Sequence, residues 1–284
     1  MLLVFPVWVL YGTVIIFGLI LGSYLNSWMW RVHEREENES DSLPPAAHTP
    51  LPRSQRGMPL PGRSLCIHCQ RQLAWFENIP LISFIALGGK CKTCKQAIPI
   101  DYFLVELGTA LVMLVVVYLD VTRGVVNTWH IWRDLFFAAL LVVVFIYDLK
   151  YYLIISGVVY AGAIIAFLVN HFALQFSTYS LVLGGVVGGG FFMLQYVLSR
   201  GRWIGGGDVR LGLMMGVLLG WPHILVALFV SYVLGAIVAV PLLIMKKKGM
   251  KSEIPFGTFL AVGTLVALFR GGQIINWYWG MMRW

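Results

Sequence analysis

Two aspartates within apolar surroundings are the residues best suited to chemistry. Asp148 ends an apolar run in Phe145-Ile-Tyr-Asp-Leu-Lys150, and Asp208 follows three glycines in Trp203-Ile-Gly-Gly-Gly-Asp-Val-Arg-Leu211. Charged side chains at membrane depth are costly and usually functional. Two neighbouring carboxyls in a partly desolvated site share a proton, so one can take a proton from water while the other donates to a carbonyl oxygen. Asp148 and Asp208 are therefore predicted to form a catalytic pair for peptide hydrolysis.

The glycines before Asp208 support this prediction. Gly205, Gly206 and Gly207 let the backbone approach an extended substrate closely and adopt positive φ angles. A simpler interpretation stays open, in which each aspartate is a solvated charge at a helix end, paired with the basic residue two positions later.

The four cysteines form two C-x2-C pairs, Cys66-Ile-His-Cys69 and Cys91-Lys-Thr-Cys94, with 21 residues between them. This spacing is typical of a zinc site in which each pair supplies two thiolates to one tetrahedral ion. Four thiolates leave no open coordination position, so a structural ion is predicted. The alternatives are four unligated thiols, or His68 as a spare ligand.

The composition indicates what positions these residues. The chain of 284 residues is 59% hydrophobic and 12% charged, whereas soluble domains are roughly 25% charged. A membrane-spanning helix needs about 20 apolar residues. Eight apolar segments are predicted to be spans, the sixth being short: 4–30, 103–120, 131–148, 153–172, 179–198, 208–221, 223–245 and 254–270.

The predicted fold is therefore an all-α polytopic membrane protein of about eight transmembrane helices, with a small zinc-ribbon-like insert. Residues 1–30 are the first transmembrane helix. Residues 31–102 are a cytoplasmic linker and four-cysteine domain, in which Glu34–Gly62 is a flexible connector rich in Glu, Ser, Pro and Arg. Residues 103–284 are a transmembrane domain that carries both aspartates.

Basic residues predict the orientation, because cytoplasmic loops carry an excess of Lys and Arg. In the eight-span arrangement, seventeen of the 21 basic residues lie on the side of the cysteines. The exceptions are Arg123, Arg133, Arg270 and Arg283. That side is predicted to be cytoplasmic, with both termini outside. The net charge of +8 then reflects topology, and no nucleic-acid partner is expected.

Several motifs together resemble a known family. Gly205-Gly-Gly-Asp208 matches the G-x-G-D signature of intramembrane aspartyl proteases. The cysteine pairs and segments around them resemble the type IV prepilin leader peptidases in order and spacing. These segments are Gly22-Ser23-Tyr-Leu-Asn26, Arg63-Ser64-Leu-Cys66, Asn78-Ile-Pro80-Leu-Ile-Ser83, Gly89-Lys90-Cys91, Val105-Glu106-Leu107 and Pro255-Phe256-Gly257.

The resemblance implies a bifunctional enzyme of the bacterial inner membrane. It would cleave the basic leader from type IV prepilins or type II secretion pseudopilins at the cytoplasmic face, and Asp148 and Asp208 occupy the family's catalytic positions. It would also methylate the new N-terminal amine with S-adenosylmethionine, an activity that the family assigns largely to the cysteine-bearing region. Membrane lipid is the other expected partner.

The sequence departs from the family's pattern in three places. The family usually has Ile-Pro-Asp after its first catalytic aspartate, where this chain has Ile154-Ile155-Ser156. Asp101 replaces an arginine before the tyrosine that precedes Glu106, and Thr258 replaces a proline after Phe-Gly. Glu106 is expected to order the helices or pair with a basic neighbour rather than to act in catalysis.

Two other classes of protein remain as alternatives. A carrier or channel would use the aspartates as ion-coupling groups, although such sites usually lie near the midplane of repeated structures and this chain shows no internal repeat. A zinc-ribbon scaffold that recruits cytosolic partners would leave the glycine-aspartate motif unexplained.

Overall fold

The computed structural model describes residues 7–40, 66, 68–69, 71–125, 127–244 and 254–282, and helices account for most of them. The described residues contain one isolated antiparallel bridge, between Lys90 and Ala97, and no strand. The prediction of an all-α protein is confirmed. The α-helices are α1 Val7–Ser40, α2 Ile82–Ala86, α3 Ile100–Thr122, α4 Thr128–Tyr151, α5 Ser156–Leu168, α6 Thr178–Ser199, α7 Gly206–Leu219, α8 His223–Ile244 and α9 Phe256–Met282.

Seven helices of the described chain are long and apolar enough to cross a membrane: α1, α3, α4, α5 with its π-helical extension Val169–Ala173, α6, α8 and α9. The remaining predicted segment, the sixth, is α7, whose 14 residues extend about 21 Å. Helix α7 nevertheless connects the two ends of its bundle. Asp208 at its start interacts with Asp148 in the last turn of α4, and Trp221 beyond its end donates to Ser180 in the first turn of α6.

Two helices extend further than the sequence predicts. Helix α1 continues to Ser40, so the interpretation of Glu34–Ser40 as flexible connector is wrong. This stretch contains no Gly or Pro, and Glu and Arg favour helix. Helix α9 continues to Met282, so the aromatic residues Trp277–Trp279 belong to the helix rather than following it. The rest of the predicted connector and the lysine-rich segment before α9 lie outside the described residues.

The chain divides into two compact units, Met1–Val115 and Val116–Trp284. In the first unit, α1 packs closely on α3 through two glycines one helical turn apart. A Cβ added to Gly18 would lie 2.7 Å from Ala110 Cα, and one added to Gly22 would lie 2.9 Å from Glu106 Cα. Small residues four apart allow such close packing between membrane helices.

The second unit contains a closer glycine contact, between α6 and α7. Gly184 and Gly188 on α6 face Gly216 and Gly212 on α7. A Cβ on Gly184 or Gly188 would overlap the carbonyl oxygen of the facing glycine. The two backbones are therefore in contact, and this contact fixes the helix that carries Asp208.

A buried polar network connects α4, α5 and α7 at the end of α7 away from Asp208. Asn170, within the π-helical turn, donates to the carbonyl oxygens of Val217 and Leu218 at 3.2 and 2.9 Å. Its own carbonyl oxygen accepts from Arg133 on α4 at 3.0 Å, and Arg133 pairs with Asp134 at 2.7 Å. The last carbonyls of a helix lack intrahelical partners, so Asn170 satisfies two of them without water.

Candidate active site and cysteine cluster

Asp148 lies in the last turn of α4, but its carboxylate is bound by the start of α9. Its Oδ2 accepts a hydrogen bond of 2.9 Å from the backbone N–H of Thr258, and the N–H of Gly257 also interacts with the carboxylate. The side chain is buried, with 5% of the residue's surface exposed. The N-terminus of a helix carries a partial positive charge, so α9 stabilises a carboxylate that the C-terminal end of its own helix would disfavour.

Asp208 lies in the first turn of α7 and caps that helix. Its Oδ2 accepts from the N–H of Gly205 at 3.2 Å, while its own N–H donates to the carbonyl oxygen of Gly205 at 3.1 Å. Acidic residues in a first turn satisfy N–H groups that have no partner within the helix. Asp208 is also buried, at 8% exposure.

The structure brings the two aspartates into one region. Gly257, which lies against Asp148 Oδ2, and Gly207, which directly precedes Asp208, both pack against Ile154, and the two carboxyls lie within electrostatic range of each other. Gly206 meets no atom within 4 Å of an added Cβ, so the backbone beside Asp208 is open at this position.

A single apolar side chain lies between the two helix starts. Ile154, in the connection between α4 and α5, is the nearest neighbour of Gly207: a Cβ added there would lie 3.0 Å from Ile154 Cβ. A Cβ added to Gly257 would lie 2.9 Å from Asp148 Oδ2 and 3.1 Å from Ile154 Cδ1. Both glycines are therefore needed for close packing.

The interpretation of the aspartates as solvated helix-end charges does not fit this geometry, because both are buried. Arg210, the basic residue proposed to pair with Asp208, instead donates to the hydroxyl of Ser156 and lies over the ring of Tyr160.

Sequence reasoning missed the partners of Asp148. Gly257 and Thr258 were recognised only as part of a motif and as a departure from it. A buried carboxylate needs hydrogen-bond donors, and a helix with a glycine in its first turn, as α9 has at Gly257, can present its first N–H groups at close range. Which of the helix starts supplies them depends on tertiary packing.

The four cysteines that are predicted to bind zinc also lie together. The Sγ atoms of Cys66, Cys69, Cys91 and Cys94 all lie within 4.8 Å of one another, and those of Cys66 and Cys94 are 3.9 Å apart. Four thiolates about 2.3 Å from a tetrahedral zinc ion would be about 3.8 Å apart. The cluster is therefore a possible metal site, and its dimensions fit zinc. His68 is exposed and is not part of it.

Backbone geometry favours the thiolate form of Cys91. The N–H groups of Cys94 and Thr93 donate to the sulfur of Cys91 and lower the pKa of that thiol to about 6, which favours the thiolate that metals bind. The turn is held by Cys91 N–H donating to the carbonyl oxygen of Gln96 at 2.8 Å and by Lys95 N–H donating to that of Cys91 at 3.1 Å.

Two buried glutamates hold the region around the cysteines. The carboxylate of Glu77 accepts a hydrogen bond from the N–H of Ala74, and each of its two oxygens accepts one from Arg71, at 2.6 and 2.9 Å. These bonds hold the pKa of Glu77 below its usual value. Glu106 accepts from the N–H of Leu81 at 2.8 Å and interacts with Ser23. Glu106 thus connects α1, α3 and the segment before α2, which agrees with the expected ordering role.

The fold and the site define a multi-pass helical membrane protein with two buried aspartates at helix ends and a cluster of four cysteines. Residues 16–119 match the Bacterial Peptidase A24 N-terminal domain, and residues 135–240 match the Type IV leader peptidase family. The chain belongs to the type IV leader peptidase family and is a peptidase.

Similar proteins span nearly the same length. The chain is 30% identical over 279 residues to a prepilin leader peptidase/N-methyltransferase of Aeromonas salmonicida, covering 95% of this chain and 94% of the relative. It is 30% identical over 270 residues to one of Pseudomonas aeruginosa, covering 93% and 91%, and 28% identical over 221 residues to one of Bacillus subtilis, covering 76% and 85%. No solved structure matches.

Proposed function

We propose that this enzyme removes the leader peptide from type IV prepilins or type II secretion pseudopilins, and that Asp148 and Asp208 are its catalytic pair. The observation that carries the proposal is the burial of both carboxyls beside two helix starts that pack against the same side chain, Ile154. The names of the relatives supply the substrate class.

In this mechanism the ionised carboxyl takes a proton from a water molecule, and the resulting hydroxyl adds to the scissile carbonyl carbon. The protonated carboxyl donates its proton to the carbonyl oxygen. The carbon–nitrogen bond then breaks, the amine takes up a proton, and the carboxyls exchange roles. The hydrogen bonds from Gly205 and Thr258 keep the two groups in fixed orientations through the cycle.

The second part of the proposal is methylation of the new N-terminal amine. S-adenosylmethionine would supply the methyl group: the amine nitrogen would attack the methyl carbon, the sulfur–methyl bond would break with S-adenosylhomocysteine as leaving group, and the amine would lose one proton. This part rests on the names of the relatives alone. The basic-residue distribution supports cleavage at the cytoplasmic face of the inner membrane, with the aspartates and cysteines on that side.

The test is to incubate the purified protein in lipid nanodiscs with a prepilin and S-adenosylmethionine, then to measure the intact mass of the substrate. Loss of the leader with gain of one methyl group supports both activities. Loss of the leader alone removes the methylation from the proposal. An untouched prepilin, with folded and metal-loaded protein, contradicts the function and favours the carrier or scaffold.

We further propose that the four cysteines bind one structural zinc ion. Cys91→Ser removes a thiolate from the cluster, so we expect bound zinc to fall from about one per chain to a small fraction, with faster amide hydrogen exchange across residues 71–99. Metal content by mass spectrometry and hydrogen exchange measure both. His68→Ala is the matched control, because it changes the residue between two ligands and should retain the ion. Zinc loss in His68→Ala would instead make His68 a ligand.

A further inference from the structure

Around the cysteine cluster, the described residues expose a set of apolar side chains. Ile82 and Ile85 are 65% and 68% exposed and lie three residues apart on α2, so they share one face. Trp75, in the short helical turn before α2, is 79% exposed, and Lys92 lies 5.2 Å from the centre of the neighbouring Phe76 ring. Several large exposed apolar side chains within one short segment, residues 75–85, mark a surface with a partner.

The depth of α2 along α3 indicates the partner. Phe84 packs against Phe103 with ring centres 5.3 Å apart, and the N–H of Leu81 donates to Glu106. Both residues of α3 lie inside its candidate span, Ile100–Thr122. Helix α2 is therefore attached beside the first two turns of a membrane span and not above it.

Helix α1 gives the same depth independently. Glu106 lies against Gly22 of α1, and Gly22 precedes Arg31, the first charged residue of that helix, by nine residues. At 1.5 Å per residue this places Gly22 about 13 Å below Arg31. The side chain of Glu106, which accepts from Leu81, spans only part of these 13 Å. Helix α2 therefore lies below the level of Arg31, near the boundary between headgroups and acyl chains.

We propose that α2 and the turn before it form an interfacial anchor, in which Ile82, Ile85 and Trp75 insert into the acyl-chain boundary of the bilayer. Lys92 then lies at the level of the lipid phosphates. Tryptophan is enriched at this level of membrane proteins, and interfacial helices bury an apolar face about 5–10 Å into the boundary. The anchor holds the cysteine cluster at the membrane surface.

The test places the photocrosslinker p-benzoylphenylalanine at position 82 or 85 of the full chain in nanodiscs and measures phospholipid adducts by peptide mass spectrometry. Position 115 on the exposed face of α3 is the positive control, and the exposed position 96 beside the cysteines is the negative control. We expect adducts at 82 and 85 in yields similar to those at 115 and several-fold above those at 96. Yields at 82 and 85 as low as at 96 overturn the anchor.

A second measurement needs no crosslinker. Brominated lipids quench tryptophan fluorescence at the boundary, and the difference between the wild type and Trp75→Phe reports on Trp75 alone. The anchor predicts that the fluorescence intensity lost on quenching, per mole of protein, is smaller in Trp75→Phe than in the wild type, and an equal loss overturns it.

A different observation, in the second unit, carries an inference that rests on the proposed function. Cδ1 of Ile154 lies 3.1 Å from the Cβ position of Gly257 and 3.3 Å from that of Gly207. Gly257 lies against the carboxylate of Asp148, and Gly207 precedes Asp208 directly. One methyl group thus contacts both of the helix starts that hold the carboxyls.

The geometry points to Ile154 as a positioning residue that sets the separation of Asp148 and Asp208. Close-packed interiors transmit the shape of a side chain to its neighbours, and a displacement of about 1 Å at reacting groups can cost about 100-fold in rate. Ile154 does not itself contact the substrate. It keeps α7 and α9 apart by the width of one side chain.

Truncation in two steps tests this role. Ile154→Val removes Cδ1, which contacts both glycines, and Ile154→Ala also removes Cγ1 and the other methyl. We expect kcat for leader cleavage to fall about tenfold or more in Ile154→Ala and by less in Ile154→Val, with KM within about twofold of wild type. Steady-state cleavage of a prepilin by electrophoresis measures both constants.

Ile165→Ala is the matched control, because Ile165 is also a partly buried isoleucine packed on the same core and lies on α5 away from the aspartates. We expect a similar loss of thermal stability and a wild-type kcat. A wild-type kcat in Ile154→Ala, or an equal fall of kcat in Ile165→Ala, overturns the positioning role. A wild-type protein that does not cleave any prepilin overturns the proposed function itself, and this assignment with it.

Discussion

Asp208→Asn and Asp148→Asn are each expected to abolish leader cleavage, with kcat reduced about 1,000-fold or more, because general acid–base groups typically contribute 10²–10⁴-fold in rate. The amide cannot accept a proton from water or take part in the exchange of roles. It can still accept the hydrogen bonds that Gly205 and Thr258 now donate to the carboxylates. The variants should therefore fold as the wild type does.

The measurement is single-turnover cleavage of a prepilin by each variant, with circular dichroism and elution volume as evidence of folding. The double variant should be no slower than either single one, since residues that act as a unit are not additive. Asp101→Asn is the control, because it removes the same charge from the first turn of another helix, α3, and should cleave normally. A folded single variant within tenfold of wild type would remove that residue from the catalytic pair.

Gly188→Ala is expected to lower the stability of the fold strongly, although it adds only one methyl group. The added methyl group would overlap the carbonyl oxygen of Gly212 and lie 3.2 Å from Ile224 Cδ1. A backbone atom cannot move aside as a side chain can, so α6 and α7 must separate. Overpacking of this kind costs about 1–3 kcal/mol. Thermal unfolding in detergent, followed by circular dichroism, measures the loss.

The same helix offers a matched control two residues later. A Cβ on Gly190 meets no atom within 4 Å, and alanine is a better helix former than glycine by about 1 kcal/mol. Gly190→Ala should therefore unfold at the wild-type temperature or slightly above it. Equal melting temperatures for Gly188→Ala and Gly190→Ala would show that the glycine contact between α6 and α7 contributes nothing to stability.

The sequence determined those features that depend on local pattern. Apolar runs predict helices because a bilayer leaves the backbone no other way to satisfy its polar groups, and all eight predicted segments are helical. The two C-x2-C pairs predict one cluster because each turn already brings two thiols together. The predicted segment 208–221 begins within two residues of α7, where the aspartate caps its own helix.

The lengths of the helices were less predictable. Hydropathy ends a span where charge begins, but a helix can continue into water, as α1 does to Ser40. The glycines from Gly184 to Gly190 were visible as a stretch rich in glycine, yet the sequence does not indicate which of them face another backbone. Gly188 does and Gly190 does not, because only the former lies on the side of α6 that meets α7.

The tertiary structure alone decided how the two aspartates meet. Asp148 and Asp208 are 60 residues apart, and the group that binds Asp148 is the start of α9, 110 residues further along the chain. Ile154 has no feature in the sequence that distinguishes it from other apolar residues of the bundle. Its role follows from the space between two helix starts, and that space exists only once the helices have packed.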